Sequence, residues 1–268
     1  MGEPNQRGDR GARWSSLLAL LSEQGRLTVP EVVQQLGVSP ATVRRDFRDL
    51  AEQQLVTRTH GGVVATAVAY DLPVRYKRFN VEGPKDRIAT YAANLLEAGQ
   101  VVAFNGGTTT TATARALVTR PDIGARTHGH SITVVTNALN IAAEMVLRPF
   151  VRTVCLGGVA RPESYELTGH LAAVTLQELA LDVAVLGVDA ISADTGAMCR
   201  HEGEAEVSRL MAAKSSRVIV VASGDKVGGR SFGRICAASD VGTVVTDETA
   251  DDAAVNALTR AGVTVHVV

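Results

Sequence analysis

Gly37-Val-Ser-Pro-Ala-Thr-Val-Arg-Arg-Asp-Phe-Arg-Asp-Leu50 is the stretch from which the rest of the chain is read. Ser39 offers a hydroxyl to cap a helix. Pro40 falls at the first helical position, where its missing N–H costs nothing. In the helix that follows, Val43, Phe47 and Leu50 lie at i, i+4 and i+7 and form one apolar stripe. Ala41, Arg45 and Arg48 then point away from it, flanked by Thr42, Arg44 and Asp49. A small residue lets a helix approach a groove closely, and the planar arginine fork matches guanine edges and phosphates. A charged face is ordinary on an amphipathic helix, so the neighbouring segments decide its meaning.

Upstream, a polar start over residues 1–11 gives way to Trp14, Leu17, Leu18 and Leu21, a helical stripe closing near Gly25. Thr28-Val-Pro-Glu31 has the spacing of a capping box, and Val32, Val33 and Leu36 supply the apolar face of a short second helix ending at Gly37. Two short capped helices around a glycine turn form a helix-turn-helix. Downstream, Leu55 to Val64 reads as two extended pieces around Gly61-Gly62, with Arg58 and His60 near the tip. The expectation is a winged helix-turn-helix over residues 12–64, with Ser39, Ala41, Thr42, Arg44, Arg45, Arg48, Arg58 and His60 as its DNA-facing set.

The whole chain carries a net charge of −1, so no global field advertises nucleic acid. Residues 1–80, however, hold eleven Lys and Arg against eight acids, a local excess of +3. With 268 residues, 46% of them hydrophobic, the chain is long enough for two core-forming domains. Cys155, Cys199 and Cys236 are scattered and odd in number, which argues against a disulfide framework or a thiolate metal site. No apolar run approaches a membrane span, so a cytoplasmic location is expected.

Residues 65–83 lack periodicity and read as a linker. Over 84–268, short apolar runs alternate with helical patterns: Val101 to Phe104, Thr133 to Thr136, Thr153 to Leu156, Val183 to Gly187, Val218 to Ala222, Val244 to Thr246 and Val263 to Val268. That alternation is the mark of a parallel sheet covered on both faces, an α/β fold. Ligands in such sheets bind beyond the carboxyl ends of the strands. Those positions are polar: Asn105-Gly-Gly-Thr-Thr-Thr110, Thr136-Asn137, Gly157-Gly158, Asp189, Ser223-Gly-Asp-Lys226 and Asp247. Glycines admit a close approach, threonine hydroxyls and free helix N–H groups hold a phosphate, and Lys226 adds positive charge. The pattern is neither a dinucleotide fingerprint nor a Walker loop, so no NAD or ATP cofactor is expected and a sugar phosphate fits better. His128-Gly-His130 and His201 beside Glu202 lack partner ligands at metal spacing, so no metal is expected.

Leu36-Gly-Val-Ser-Pro-Ala-Thr-Val-Arg-Arg-Asp46, Leu50 and Arg58-Thr-His-Gly-Gly62 closely resemble the N-terminal signature of the DeoR family of bacterial transcription regulators. Lys85-Asp-Arg-Ile-Ala89, Gly107-Thr-Thr109, Thr136-Asn137, Gly157-Gly158 and Glu204-Ala-Glu-Val207, with Met211 and Lys226, extend the likeness. The resemblance implies a sensor domain similar in fold to ribose-5-phosphate isomerase and controlled by a phosphorylated sugar. It implies that Thr42, Arg44, Arg45 and Arg58 contact operator DNA. Lys85, Thr108, Thr109, Asn137, Glu204 and Lys226 become effector contacts, joined at the sheet edge by Asn105, Gly106, Gly107, Thr136, Gly157, Gly158, Asp189 and Asp225. The expected protein is a repressor of a carbohydrate catabolic operon, acting as a homodimer or higher homo-oligomer with half-sites a helical turn or its multiples apart.

Two departures stand out. The family commonly carries Asp-Ser-Gly-Thr-Thr where this chain has Asn105-Gly-Gly-Thr-Thr, and Asp-Ser-Ser-Lys where it has Ser223-Gly-Asp-Lys. Losing carboxylates beside a bound anion lowers repulsion and changes hydroxyl recognition. The rival reading is a phosphosugar isomerase using Asp189, Glu204, Asp225 and Lys226, for which the first domain has no purpose.

Overall fold

The structure is a computed structural model that describes residues 13–14, 16–18, 20–21, 24, 26–52, 56–59, 61–65, 83–124 and 129–268. His60, His128, the polar start and nearly all of the 65–83 linker lie outside the described residues. The chain divides into two compact units, residues 1–80 and 81–268.

The first unit begins with helix α1, helical at its described residues between 13 and 24. It continues through β1 (Arg26–Thr28), α2 (Val29–Leu36), α3 (Pro40–Glu52), β2 (Val56–Thr59) and β3 (Gly62–Ala65). Its core joins Trp14, Leu17 and Leu21 of α1 to Val32 of α2 and to Val43, Phe47 and Leu50 of α3, the stripe read from the sequence. At about 1.5–3 kcal/mol per fully buried large side chain, this stripe is what holds α3 against its neighbours. The wing has three strands, in the order β1-β3-β2 and antiparallel throughout. Gly62 is forced by the third strand: a Cβ there would stand 2.1 Å from the Leu27 carbonyl oxygen.

The second unit contains α4 (Pro84–Asn94), β4 (Val101–Phe104), α5 (Thr108–Thr119), α6 (Pro121–Gly124), β5 (Ile132–Thr136), α7 (Leu139–Met145) and β6 (Val151–Cys155). After the short strands β7 (Val159–Ala160) and β8 (Leu167–Thr168) come α8 (His170–Gln177), β9 (Leu181–Gly187), β10 (Ala190–Ser192), β11 (Gly196–Cys199) and α9 (Glu202–Lys214). β12 (Ser215–Val221), β13 (Gly233–Cys236), β14 (Thr243–Thr246), α10 (Asp252–Arg260) and β15 (Thr264–Val267) complete it. Seven strands form one parallel sheet in the order β15-β14-β12-β9-β4-β5-β6. Each corresponds to one of the seven apolar runs.

Alternate residues feed opposite faces, as strand geometry requires. Val102, Phe104, Val183 and Val185 pack with α4, α5 and α7, while Ala103, Ala184 and Leu186 pack with α8, α9 and α10. Right-handed crossovers explain the split. The chain moves outward one way through β4, β5 and β6 and the other way through β9, β12, β14 and β15, so the helices change face. The order reverses between β4 and β9, which opens the crevice of a doubly wound sheet at the carboxyl ends of those strands. Two excursions were not visible in the sequence: the β7–β8 hairpin and the small antiparallel sheet β10-β11-β13.

Candidate DNA-reading helix and effector site

The start of α3 is built as its residue types dictate. The Ser39 hydroxyl accepts from the Thr42 backbone N–H at 3.2 Å and pairs with the Thr42 hydroxyl at 2.8 Å, so Ser39 serves as the cap. Glu31 reaches back to the Thr28 backbone N–H and hydroxyl, each at 2.7 Å, fixing the start of α2; these bonds lower the Glu31 carboxyl pKa. Ala41, Arg44, Arg45 and Arg48 are exposed along α3, and Arg58 is exposed on β2. Arg48 grips the Asp49 carboxylate with both Nε and Nη2 at 3.2 Å. Among the described residues, Arg44, Arg45 and Arg58 have no carboxylate within ion-pair reach, so their forks remain available to a phosphate or base.

Asp46 is the residue that sequence reasoning missed in this unit. It is 2% exposed and receives Arg13 Nε at 2.6 Å, Arg13 Nη2 at 3.1 Å and the Trp14 indole N–H at 2.9 Å. A carboxylate among buried apolar groups needs such partners, and these tie α1 to the inner face of α3. The signal was present, because Asp46 lies three residues after Val43 and one before Phe47, on the buried side of the same wheel.

In the second unit, the residues following the strands converge on the crevice but divide into structural and open groups. Asn105 is 4% exposed. Its amide donates to the Gly187 carbonyl at 2.9 Å and to the Ser208 hydroxyl at 3.1 Å, and its oxygen accepts from the Gly187 N–H at 2.8 Å. Asn105 therefore staples β4 to β9 across the strand-order reversal and is not left to hold a ligand. This also corrects the account of the Asp-to-Asn departure, since an aspartate could not donate to the Gly187 carbonyl. Thr136 is spent likewise, donating to the Phe104 carbonyl at 2.7 Å and accepting from the Ala138 N–H at 3.0 Å. Gly157 and Gly158 lead from β6 into β7. Asp225 is exposed and bonded within its own turn to the Ser223 hydroxyl.

The open group begins at the first turn of α5. The Thr110 and Thr111 hydroxyls fold back on the Gly107 carbonyl at 3.0 and 2.7 Å. Among the described residues, the hydroxyls of Thr108 and Thr109 have no such commitment. The first N–H of α5 with an intrahelical acceptor is that of Thr111, to Gly107 at 3.0 Å, which leaves the preceding amides as donors that can hold an anion. Lys226, in the turn after β12, donates to the Val188 carbonyl just beyond β9 at 2.7 Å and so brings its ammonium to the crevice. Burial lowers its pKa, against the opposing pull of Asp189 and Asp225, with Lys85 and Arg200 adding to the lowering. Lys85 is exposed on the first turn of α4. Asp189 accepts from the Arg200 backbone N–H at 2.9 Å. On α9, the His201 imidazole Nδ1 caps the helix by accepting from the Gly203 N–H at 3.1 Å, and Glu204 in that first turn accepts from Arg161 Nε at 3.0 Å.

Asn137 is fully buried, donating to Glu166 at 2.8 Å and to the Leu167 carbonyl at 3.1 Å. Glu166 was not read from the sequence. It is 5% exposed, and burial first, then the neighbouring Glu204, push its carboxyl up to about 7, against the Asn137 and Gly106 hydrogen bonds. Glu204, Asp189 and Glu166 all act on the Cys199 thiol, which burial chiefly pushes up to about 12. A cavity of about 880 Å³ lies elsewhere, lined by Arg209, Arg217, Arg234 and Asp240. It sits at the amino-terminal ends of β12 and β14, away from the strand-order reversal, and the doubly wound geometry favours the carboxyl edge as the ligand site.

Comparison with known proteins agrees with both halves. Residues 13–67 match the DeoR-like helix-turn-helix domain, and residues 81–248 match the DeoR C terminal sensor domain. The chain belongs to the DeoR family of transcriptional regulators. Among its relatives, the HTH-type transcriptional regulator GlpR of Haloferax volcanii is 34% identical, over 93% of this chain and 94% of that protein. The glycerol-3-phosphate regulon repressor of Escherichia coli is 28% identical, over 88% and 90%. Ribose 5-phosphate isomerase A from Methanocaldococcus jannaschii overlays with a TM-score of 0.39 at 15% identity, over 53% of this chain and 52% of that one. The fold is read from the strand order itself. Family membership assigns the DeoR chain to transcriptional regulation and not to isomerase catalysis. No helix among the described residues is long and apolar enough to cross a membrane.

Proposed function

We propose that this DeoR-family regulator represses a carbohydrate catabolic operon, with α3 in the major groove of the operator and a phosphorylated sugar at the carboxyl edge of the parallel sheet. The observation that carries the reading is the presence in one chain of an exposed arginine face on a capped helix and of free first-turn helix amides at a strand-order reversal. Arg44 and Arg45 reach base edges or phosphates, Arg58 of the wing reaches the backbone, and Arg48, held by Asp49, positions the helix. The Thr108 and Thr109 hydroxyls, the first amides of α5 and Lys226 take the phosphate, with Lys85 adding positive charge from α4.

Support for a sugar-linked role comes from the relatives, one of which is a glycerol-3-phosphate regulon repressor. A single recognition helix binds weakly, so a homodimer or higher homo-oligomer on paired half-sites completes the proposal, in the compartment that holds the DNA. Fluorescence anisotropy on the DNA upstream of the protein's own gene, at two salt concentrations and with a panel of sugar phosphates, tests it. The expected result is tight, salt-sensitive binding that one compound alters. Specific binding that no sugar phosphate changes would refute the effector assignment, and absence of specific binding would refute the operator assignment.

A further inference from the structure

The β7–β8 hairpin delivers a carboxylate into the glycine turn that precedes the first turn of α5. Glu166, the residue before β8, accepts from the Asn137 amide at 2.8 Å and packs against the Gly106 backbone. Its side chain lies so close over that turn that a Cβ on Gly106 would stand 2.4 Å from Glu166 Cγ and 2.5 Å from Oε1. The Gly106 turn, two residues before α5, is thus already covered by a carboxylate belonging to the chain. Arg161, from the same hairpin, does not neutralise Glu166 alone: its Nε is bonded to Glu204 at 3.0 Å and its Nη2 stands 3.6 Å from Glu163. Three carboxylates therefore share one guanidinium.

A second feature points to what this side of the cleft lacks. Among the described residues the Asn137 side-chain oxygen is buried without a hydrogen-bond partner, although the amide nitrogen of the same group is bonded to Glu166 and Leu167. A buried acceptor without a donor costs about 1–3 kcal/mol, which a ligand donor would recover. The donors at this corner, the Asn137 amide and Arg161 Nε, are already bonded to Glu166, Leu167 and Glu204, whereas the Asn137 oxygen is not.

Resting on the sugar-phosphate reading of the cleft, we propose that Glu166 is the specificity-determining residue of the effector site. Its carboxylate covers the Gly106 turn, restricts the phosphate to the first turn of α5, and with Glu204 and the Asn137 oxygen selects the hydroxyl-bearing end of a sugar monophosphate. A second phosphate at that end meets like charge and no free donor, so a bisphosphate is rejected. Sugar hydroxyls supply the donors the corner is missing.

Isothermal titration of the full chain with matched pairs tests this: glucose 6-phosphate against glucose 1,6-bisphosphate, and fructose 6-phosphate against fructose 1,6-bisphosphate, with inorganic phosphate alongside. The wild-type chain is expected to bind the monophosphate of its preferred pair at least about tenfold more tightly than the bisphosphate. Glu166→Gln keeps the shape and removes the charge, and should bring the two members of the pair within about threefold. Glu166→Ala uncovers the Gly106 turn and removes the carboxylate, and should tighten binding of inorganic phosphate. A wild-type chain that prefers the bisphosphate, or a mono-to-bis ratio unchanged in both variants, overturns the role of Glu166 and leaves the sugar-phosphate reading standing. Binding of none of these compounds by the wild-type chain overturns that reading itself.

Discussion

Replacing Asp46 should destabilise the DNA-reading unit while leaving the stability of the sensor unit unchanged, and the chain carries its own probe for the difference. Asp46→Ala removes the acceptor of the Trp14 indole N–H and of two Arg13 nitrogens at a side chain only 2% exposed. Breaking a buried ion pair by removing one partner costs about 3–5 kcal/mol, because the remaining charge and donors stay desolvated. Small domains hold about 5–15 kcal/mol in total, so the loss consumes a large part of the unit's stability. With a urea dependence of about 1–1.5 kcal/mol per molar for so small a unit, the midpoint should fall by at least about 2 M. Trp14 is the single tryptophan of the chain and sits 7% exposed in the first unit's core. Its emission therefore follows that unit, while circular dichroism is dominated by the larger α/β unit. Asp46→Asn keeps an acceptor for the indole but loses the charge opposite Arg13, and should cost about 1–3 kcal/mol. A tryptophan transition in Asp46→Ala within about 0.5 kcal/mol of wild type would refute the claim that this carboxylate fastens α1 to α3, since that is the scale of an ordinary surface substitution.

Three further outcomes follow from the same geometry. Arg45→Ala should weaken operator binding and reduce the salt slope by about 1, with the Trp14 urea transition unchanged; a shifted transition would mean that Arg45 supports the fold. Asn105→Asp replaces a donor to the Gly187 carbonyl by a buried charge facing that carbonyl, and should destabilise the sensor unit by about 2–4 kcal/mol in urea unfolding followed by circular dichroism; wild-type stability would remove its role as a staple. Glu166 should make the sensor unit less stable as pH rises: below 4.5 the carboxyl is neutral folded and unfolded, whereas above about 7 it is ionised in both states and the folded state bears the cost. That cost is about 3 kcal/mol, so Glu166→Gln should be about as stable as wild type at pH 4.5 and about 3 kcal/mol more stable near pH 7.5; parallel pH curves for the two proteins would show that Glu166 ionises without resistance.

The seven parallel strands were legible because each is buried on both faces and so reads as a short, continuous Val-rich run bounded by polar turns. The helices of the first unit were legible because Ser39, Pro40, Thr28 and Glu31 are cap residues at cap spacings. β1 was hidden: Arg26-Leu27-Thr28 is too short to show a period of two, and its strand character comes only from pairing with Gly62, Val63 and Val64. The effector edge was legible as a location but not as an allocation of roles. Asn105, Thr136 and Asn137 have similar polar side chains after similar strands, and only the packed structure shows that the first two are consumed by Gly187, Ser208 and Phe104. The hairpin carrying Arg161 and Glu166 has two-residue strands, below any periodic signal, and its register is set by Asn137, whose carbonyl accepts the Leu167 N–H at 2.7 Å.

Asp46 and Glu166 are both buried carboxylates that the sequence alone passed over, and their partners separate their roles. Asp46 faces a guanidinium that meets it at two points and an indole N–H, so charge and hydrogen bonds act together and the residue holds the fold. Glu166 faces two neutral amides, with Glu204 opposing its charge and the Arg161 Nε bonded to Glu204. A protein that needed only to bury a carboxylate there could do so at less cost with a neutral residue, because a buried charge without a dedicated counter-ion destabilises the folded state. Strained electrostatics of this kind concentrate where a ligand later changes the balance. In the sensor unit, a sugar hydroxyl donating into the corner of Glu166, Glu204 and the Asn137 oxygen would relieve the repulsion and satisfy the orphaned acceptor together. Its binding would thereby favour whichever arrangement keeps that corner closed, and a difference in affinity between arrangements is what an effector needs to shift a population.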